Sequence, residues 1–130
     1  MSSAVSRPAA AHSSSAILHF QSLLEFETDC WDVHHATFNK RKDFVLLDVR
    51  ASRLFENGHV PDAVSLPHTA INERTLSAFP MDTLFVVYCA GPHCNGADKA
   101  ALKLAKLGRP VKKMIGGVTG WLDEEFELSL

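Results

Sequence analysis

The sequence predicts an α/β domain with a mostly parallel sheet, and three observations lead to that fold class. Two near-continuous apolar runs, at residues 44–49 and 83–89, lack the alternation of half-exposed strands. Such runs are typical of strands that are covered on both faces. The clearest helical pattern, at residues 95–108, directly follows the second run. Strands that alternate with helices at this spacing are typical of parallel sheets with helices packed against them.

The part of the chain before residue 83 predicts short alternating elements. Residues 16–26 carry apolar side chains at helical spacing behind a serine run that can cap a helix. The patterns that follow predict a strand at 27–30, a helix near 33–39, the buried strand at 44–49, an extended piece at 62–67 and a helix at 71–79.

The second half centres on the strand at 83–89 and the helix at 95–108. Asn95 is placed to cap this helix, Asp98 lies in its first turn, lysines gather towards its end, and Gly108 closes it. A last strand at 110–115 and a glycine-rich turn at 116–121 follow. No internal repeat or second domain is evident.

Length and composition favour one compact domain at residues 16–130, preceded by a disordered tail at residues 1–15. The tail lacks the continuous apolar segment of a secretory signal, although its serines, alanines and early arginine leave organelle targeting open. Apolar residues make up 46% of the chain and the net charge is -2, which predicts neither nucleic-acid nor membrane binding. Three cysteines do not suggest a disulfide framework. We therefore expect a cytoplasmic protein, either a monomer or a homodimer.

Chemistry is predicted at "VVYCAGPHCNGA", residues 86–97. A strand that enters a short loop and then a helix places Cys89 at the carboxyl edge of the sheet, where ligand crevices open. The helix terminus and inward-pointing amides would stabilise a thiolate. Lowering the thiol pKa by about 1.5 units requires roughly 2 kcal/mol, which these groups can supply together. Cys89 is thus predicted to be a nucleophile; the alternative is a small buried side chain.

The chain resembles a single-domain rhodanese of the sulfurtransferase family over roughly residues 26–126. "LLDVRASRLFENGHVPDAVSLP", "VVYC" with its loop and helix, and "IGGVTGW" are similar to three family motifs in the family's order. The resemblance implies a three-layer α/β/α fold with a mostly parallel five-stranded sheet. It also implies that a Cys89 persulfide carries sulfur from a small donor, such as thiosulfate or a persulfide, to a thiol, a cyanide-like acceptor or a protein. Neither a metal nor a cofactor is expected. The implied substrate-binding loop comprises Ala90, Gly91, Pro92, His93, Cys94, Asn95 and Gly96.

The loop departs from the family at Cys94, which occupies a position where many rhodaneses carry arginine. It contains no lysine or arginine, and His93 is its only cationic candidate. We therefore expect a weak preference for thiosulfate or a different natural donor. Cys94 either resolves a Cys89 persulfide through a disulfide or only packs in the first turn of the helix.

Other polar residues favour structural roles. We expect Asp48 and Arg50 to hold loops through hydrogen bonds or an ion pair, with Glu56 as a substitute partner because Leu54 replaces the family's acidic residue. His59 is expected to bond to backbone, His68 to lie at the surface, and Trp121 to anchor packing. Neither the adjacent pair His34 and His35 nor Cys30, which lies on another element, suggests a zinc site.

Two other functions compete with sulfur transfer. One is a catalytically quiet binding or regulatory module that keeps the fold, against which the intact Cys89 argues. The other is a cysteine-dependent phosphatase or arsenate reductase, which would need an arginine clamp on the oxyanion. The residue six positions after the cysteine is Asn95, and no arginine lies near it.

Overall fold

A computed structural model describes residues 1–130, and its centre is one sheet of five parallel strands. The strands occur in the spatial order β1-β5-β4-β2-β3. Their bounds are β1 Glu27–Thr28, β2 Val45–Asp48, β3 Val64–Ser65, β4 Phe85–Tyr88 and β5 Val111–Met114. The two apolar runs of the sequence form β2 and β4, adjacent strands at the middle of the sheet, which confirms the predicted parallel α/β class.

Helices cover both faces of the sheet. The α-helices are α1 Ser13–Phe26, α2 Cys30–Phe38, α3 Ser52–Glu56, α4 Gly96–Lys106 and α5 Gly117–Asp123, with a 3₁₀ turn at His68–Ala70. Each face carries its own apolar cluster, because alternate residues of β4 point to opposite sides. Phe85 and Val87 pack with α4, whereas Val86 and Tyr88 pack with α2 and α5. The result is the three-layer α/β/α arrangement that the family resemblance implies.

The helix predicted at residues 71–79 is absent, and hydrogen-bonded turns replace it. The side chains of Asn72 and Thr75 bond to each other's backbone amides, which offers the backbone an alternative to a helix. Buried Arg109 donates to the carbonyls of Leu76, Phe79 and Pro80 and so fixes the end of this segment. Local side-chain bonding and one distant guanidinium therefore override the weak helical pattern.

The predicted glycine-rich turn at residues 116–121 is also wrong, since most of it forms α5. Gly116 and Gly117 adopt φ angles of 90° and 58°, which turn the chain directly after β5. The helix then buries Trp121 completely, and the indole N–H donates to the Glu127 carbonyl. The expected role of Trp121 as a packing anchor is confirmed.

The first helix starts earlier and packs less than predicted. The α1 helix begins at Ser13, so the serine run lies inside it and His12 accepts the capping hydrogen bond from Ser14. None of its residues is buried, although it presents several large apolar side chains to the surface. The boundary between a tail and a domain near residue 16 stays a prediction. No helix of the structure combines the length and apolar character that crossing a membrane requires.

Candidate active site

The candidate site lies at the carboxyl edge of the sheet, where the sequence predicts it. The chain after β4 passes through Cys89 and turns into α4, while the chain after β5 passes through Gly116 into α5. Between them is a cavity of about 220 Å³. The cavity is lined by Cys89, Gly91, Pro92, Cys94, Ala97, Asp98, Lys113, Met114, Ile115, Gly116 and Gly117. A larger depression of about 710 Å³ lies beside residues 71–74 and the end of α4, but no thiol borders it.

Two free thiols meet in this cavity. The Sγ atoms of Cys89 and Cys94 are 2.7 Å apart, compared with roughly 2.05 Å in a disulfide bond. Cys89 is buried, with 7% of its surface exposed, whereas Cys94 is half-buried. The structure therefore joins the predicted nucleophile directly to the residue that replaces the family's arginine.

The pKa of Cys89 moves in the opposite direction from the one predicted. The pKa of this thiol is raised to about 11, first by burial and second by the contact with Cys94, while the Ala90 amide acts in the other direction. The side chain lies on the face of β4 that packs against α4, among apolar residues of that core cluster. Sequence reasoning counted the amides but could not include the removal of water from the sulfur.

The lowered pKa belongs to Cys94. The main cause is the hydrogen bond from Cys89, and the second is the Gly96 amide, which donates to the Cys94 Sγ at 3.4 Å. Asn95 occupies the cap position of α4, as predicted, but its side chain makes no capping hydrogen bond. Cys94 therefore has the lower pKa of the pair, and its sulfur, not the Asn95 side chain, accepts a hydrogen bond from the first amide of α4.

Several amides of the loop take no part in backbone hydrogen bonding. The N–H groups of Ala90, His93 and Asn95 donate to no backbone carbonyl, and the same holds for the first amides of α4. The carbonyls of Cys89 and Ala90 are occupied instead, because they accept from the amides of Val118 and Thr119. This bonding anchors the carbonyl side of the loop to α5.

Glycine is required where the two loops meet. A Cβ on Gly117 would collide with the Cys89 carbonyl and with the backbone of Gly91. A Cβ on Gly96 would lie 2.7 Å from the Cys89 Sγ. The contact between α5 and the cysteine loop, and the room for the buried sulfur, therefore depend on these two glycines.

A buried ion pair supports the site from the side of β2. Arg50 donates to both carboxylate oxygens of Asp48, with the shortest bond at 2.7 Å, and to the Gly58 carbonyl at 2.7 Å. The Tyr88 hydroxyl donates to Asp48 at 2.7 Å and accepts from the Val60 amide. The predicted role of Asp48 and Arg50 in holding loops is confirmed, and the suggestion of Glu56 as substitute partner is wrong because Asp48 itself is the partner.

One charged group of the cavity was missed by sequence reasoning. Lys113 of β5 lines it and forms salt bridges with Asp98 at 3.0 Å and Glu27 at 3.4 Å. These carboxylates raise the pKa of Lys113, with Asp98 as the main cause. The only sequence signal was the position of a lysine near the end of a strand that neighbours β4.

No histidine is among the residues that line the cavity of the two thiols. His93 is exposed on the loop and its side chain does not line the cavity. His59 stacks on Phe55 and bonds through Nδ1 to the Phe55 carbonyl, which confirms its predicted backbone contact. His34 stacks on Phe126. Cys30 is buried on α2, where burial raises its thiol pKa to about 11.

The family comparison covers most of this architecture. A model of the rhodanese-like domain matches residues 33–124, which include β2 through α5 and therefore both thiols. The match contains the Asp48–Arg50 pair, the cysteine loop and the glycines of α5. All three motifs that suggested the family in the sequence lie within or overlap the matched segment.

Individual proteins are similar over different shares of their length. The crystal structure of the BH2092 protein from Bacillus halodurans has a TM-score of 0.88 and 36% identity, covering 91% of this chain and 86% of that one. An HTH-type transcriptional regulator of Mycobacterium tuberculosis is 32% identical over 79 residues, or 61% of this chain. The alignment spans about a third of that curated relative. A thiosulfate sulfurtransferase from Pseudomonas aeruginosa, at 20% identity and a TM-score of 0.64, covers 80% of this chain and 20% of that one and shares its fold.

Proposed function

The chain belongs to the rhodanese-like domain family, and we propose that it is a sulfurtransferase. It takes a sulfane sulfur from a small donor, carries it as a persulfide on Cys89, and passes it to a thiophilic acceptor. The observation that carries this proposal is the meeting of the Cys89 and Cys94 sulfurs at 2.7 Å in a cavity at the carboxyl edge of the sheet. The expected cytoplasmic location and the oligomeric state stay predictions.

Cys94 acts as the base that activates Cys89. The contact of 2.7 Å is within the distance that a general base requires. The Cys94 thiolate accepts the proton of the Cys89 thiol, and the Cys89 sulfur attacks the outer sulfur of the donor. The bond between the two sulfurs of the donor breaks, and the rest of the donor leaves with the electron pair.

The second half of the cycle returns the enzyme to its starting state. A nucleophilic acceptor, such as a thiolate or a cyanide-like anion, attacks the outer sulfur of the persulfide. The bond to the Cys89 sulfur breaks, and Cys89 leaves as a thiolate that recovers its proton from Cys94. The Ala90 amide, which acts on the sulfurs of both Cys89 and Cys94, supplies a donor for a terminal sulfur that carries negative charge.

The charges at the cavity favour a donor with little negative charge. Lys113 is the cation that lines the cavity, and Asp98 and Glu27 both pair with it. The three groups sum to one negative charge, so a dianion such as thiosulfate finds no unpaired cation among the residues that line the cavity. We therefore propose a persulfide donor in preference to thiosulfate, with a thiol or a protein as the acceptor.

Intact-mass spectrometry tests the proposal. The reduced protein is incubated with thiosulfate and, separately, with glutathione persulfide, and excess donor is removed. We expect a gain of about 32 Da, or the disulfide into which that persulfide converts, and neither product in Cys89→Ser. Cys30→Ala is the matched control, since it removes a thiol outside the cavity and should react like the wild type. If no donor modifies the wild type or Cys94→Ser, the catalytically quiet binding module is the better assignment.

A further inference from the structure

We propose that Cys94 resolves the Cys89 persulfide, so that the protein also releases hydrosulfide and is regenerated by a dithiol. This inference rests on the proposed sulfur uptake at Cys89. The sequence left open whether Cys94 resolves or only packs, and the placement of its sulfur favours resolution. Both thiols are free, their Sγ atoms are 2.7 Å apart, and both border the same cavity.

The chemistry balances without an external oxidant. The Cys94 sulfur attacks the inner sulfur of the persulfide, which is the Sγ of Cys89, and the proton that Cys94 took from Cys89 during uptake passes to the outer sulfur. The bond between the inner and outer sulfurs breaks, and the outer sulfur leaves as hydrosulfide with the bonding electron pair. The sulfane sulfur is reduced, and the two cysteines are oxidised to a Cys89–Cys94 disulfide. A dithiol then reduces this disulfide through two exchange steps, and its own sulfurs become a disulfide.

The surroundings of the two sulfurs fit these different roles. Cys89 is almost completely buried, whereas Cys94 is half-buried and sits where α4 begins. The Gly96 amide donates to the Cys94 Sγ, so this sulfur has a hydrogen-bond donor that supports its anionic form. A reductant that enters from solvent reaches the Cys94 side of a disulfide more readily than the buried Cys89 side.

The absence of a lysine or arginine in the loop is consistent with the release of hydrosulfide. In the segment from Ala90 to Asn95, no lysine or arginine is present to hold an anionic donor or a terminal persulfide sulfur. Lys113 is the nearest lining cation and is paired with two carboxylates. Although the positive charge of Lys99 acts on Cys94, hydrosulfide that forms in the cavity meets no unpaired lysine or arginine among the lining residues.

A single-turnover experiment tests the role of Cys94. Reduced protein in a Cys30→Ala background is incubated with thiosulfate to completion, because sulfite rather than hydrosulfide leaves from this donor. We expect one equivalent of hydrosulfide per chain, a mass loss of about 2 Da and a Cys89–Cys94 disulfide in the peptide map. Adding dithiothreitol should then allow repeated turnover.

Cys94→Ser separates the two proposals. It should keep a persulfide of about 32 Da on Cys89 and release hydrosulfide at least about 100-fold more slowly than the parent, because the intramolecular attacker is gone. If the parent protein, which carries only Cys30→Ala, keeps a stable persulfide, the resolving role of Cys94 is wrong and sulfur uptake is not affected. The same holds if Cys94→Ser releases hydrosulfide equally fast. If Cys89→Ser gains the sulfur on Cys94, the assignment of the two roles is wrong. If neither the parent nor Cys94→Ser takes up sulfur from thiosulfate or glutathione persulfide, the proposed function itself fails.

Discussion

Replacing Asp48 with asparagine should remove much of the stability of this domain. The Asp48 side chain is 0% exposed and the Arg50 side chain 9% exposed, so water cannot replace the lost partner. The two carboxylate oxygens accept from the Arg50 guanidinium, from its backbone amide and from the Tyr88 hydroxyl. An asparagine has one oxygen, and its amide group would direct N–H donors at these other donors.

The expected loss is about 3–5 kcal/mol, the usual result of breaking a buried ion pair from one side. Domains of this kind have a total free energy of unfolding of roughly 5–15 kcal/mol. The free energy of unfolding falls by about 1–3 kcal/mol for each M of urea, so the urea concentration at the midpoint of unfolding should fall by at least about 1 M. The matched control is Glu56→Gln, an exposed acid that sequence reasoning offered as the partner of Arg50 and that should change stability by at most about 0.5 kcal/mol.

Urea denaturation followed by tryptophan fluorescence measures this difference, since Trp121 is fully buried. A loss below about 1 kcal/mol in Asp48→Asn would contradict the reasoning, because it would mean that the buried guanidinium finds another partner. An equal loss in Glu56→Gln would contradict the identification of Asp48 as that partner. Circular dichroism of the two variants in the absence of urea shows whether each still folds.

Three further predictions concern the site. Gly96→Ala places a methyl group 2.7 Å from the Cys89 Sγ. Oxidation of the thiol pair by a dilute disulfide, measured by free-thiol titration, should therefore slow at least about 10-fold. An unchanged rate would contradict this, because it would show that the sulfur moves freely. Asp98→Asn removes one of the two carboxylates that pair with Lys113. It should lower the KM for thiosulfate about 5-fold, or about 1 kcal/mol, whereas Asp82→Asn at the opposite sheet edge should leave this KM unchanged. The rate of alkylation by iodoacetamide between about pH 6 and 11 should rise with pH through a pKa below the usual thiol value, because Cys94 has the lowered pKa. Cys94→Ser should lose this rise at lower pH. If the variant keeps it, the lowered pKa does not belong to Cys94.

The parts of the fold that depend on continuous burial were predictable from the sequence. Strand β4 and all of β2 except Asp48 are apolar or aromatic because helices cover both faces, and α4 combines an apolar stripe with lysines near its end. The elements at residues 71–79 and 116–121 were not predictable in the same way. In the first, Arg109 reaches back along about thirty residues to bind carbonyls. In the second, Gly116 and Gly117 turn the chain into a helix, and Gly120 lies inside that helix.

The location of the site was predictable, but its electrostatics were not. Fold topology places Cys89 at the carboxyl edge whatever its neighbours are, so the pattern of strand, loop and helix was enough. Its pKa depends on how deeply the sulfur is buried and on which group touches it, and both depend on side-chain placement. Burial first, and the contact with Cys94 second, reverse the predicted direction for the pKa of Cys89, and the pKa of Cys94 is lowered instead.

Under the proposed function, this reversal accounts for sulfur chemistry at a loop without arginine. An arginine would attract an anionic donor and stabilise a thiolate through its fixed positive charge. Cys94 offers no charge to attract a donor, but it can exchange a proton with Cys89 and form a covalent bond to it. The substitution therefore exchanges recognition of a dianion for an internal base and an internal attacking group. A domain built in this way should discriminate weakly between anionic donors and should depend on the reduction state of its two thiols.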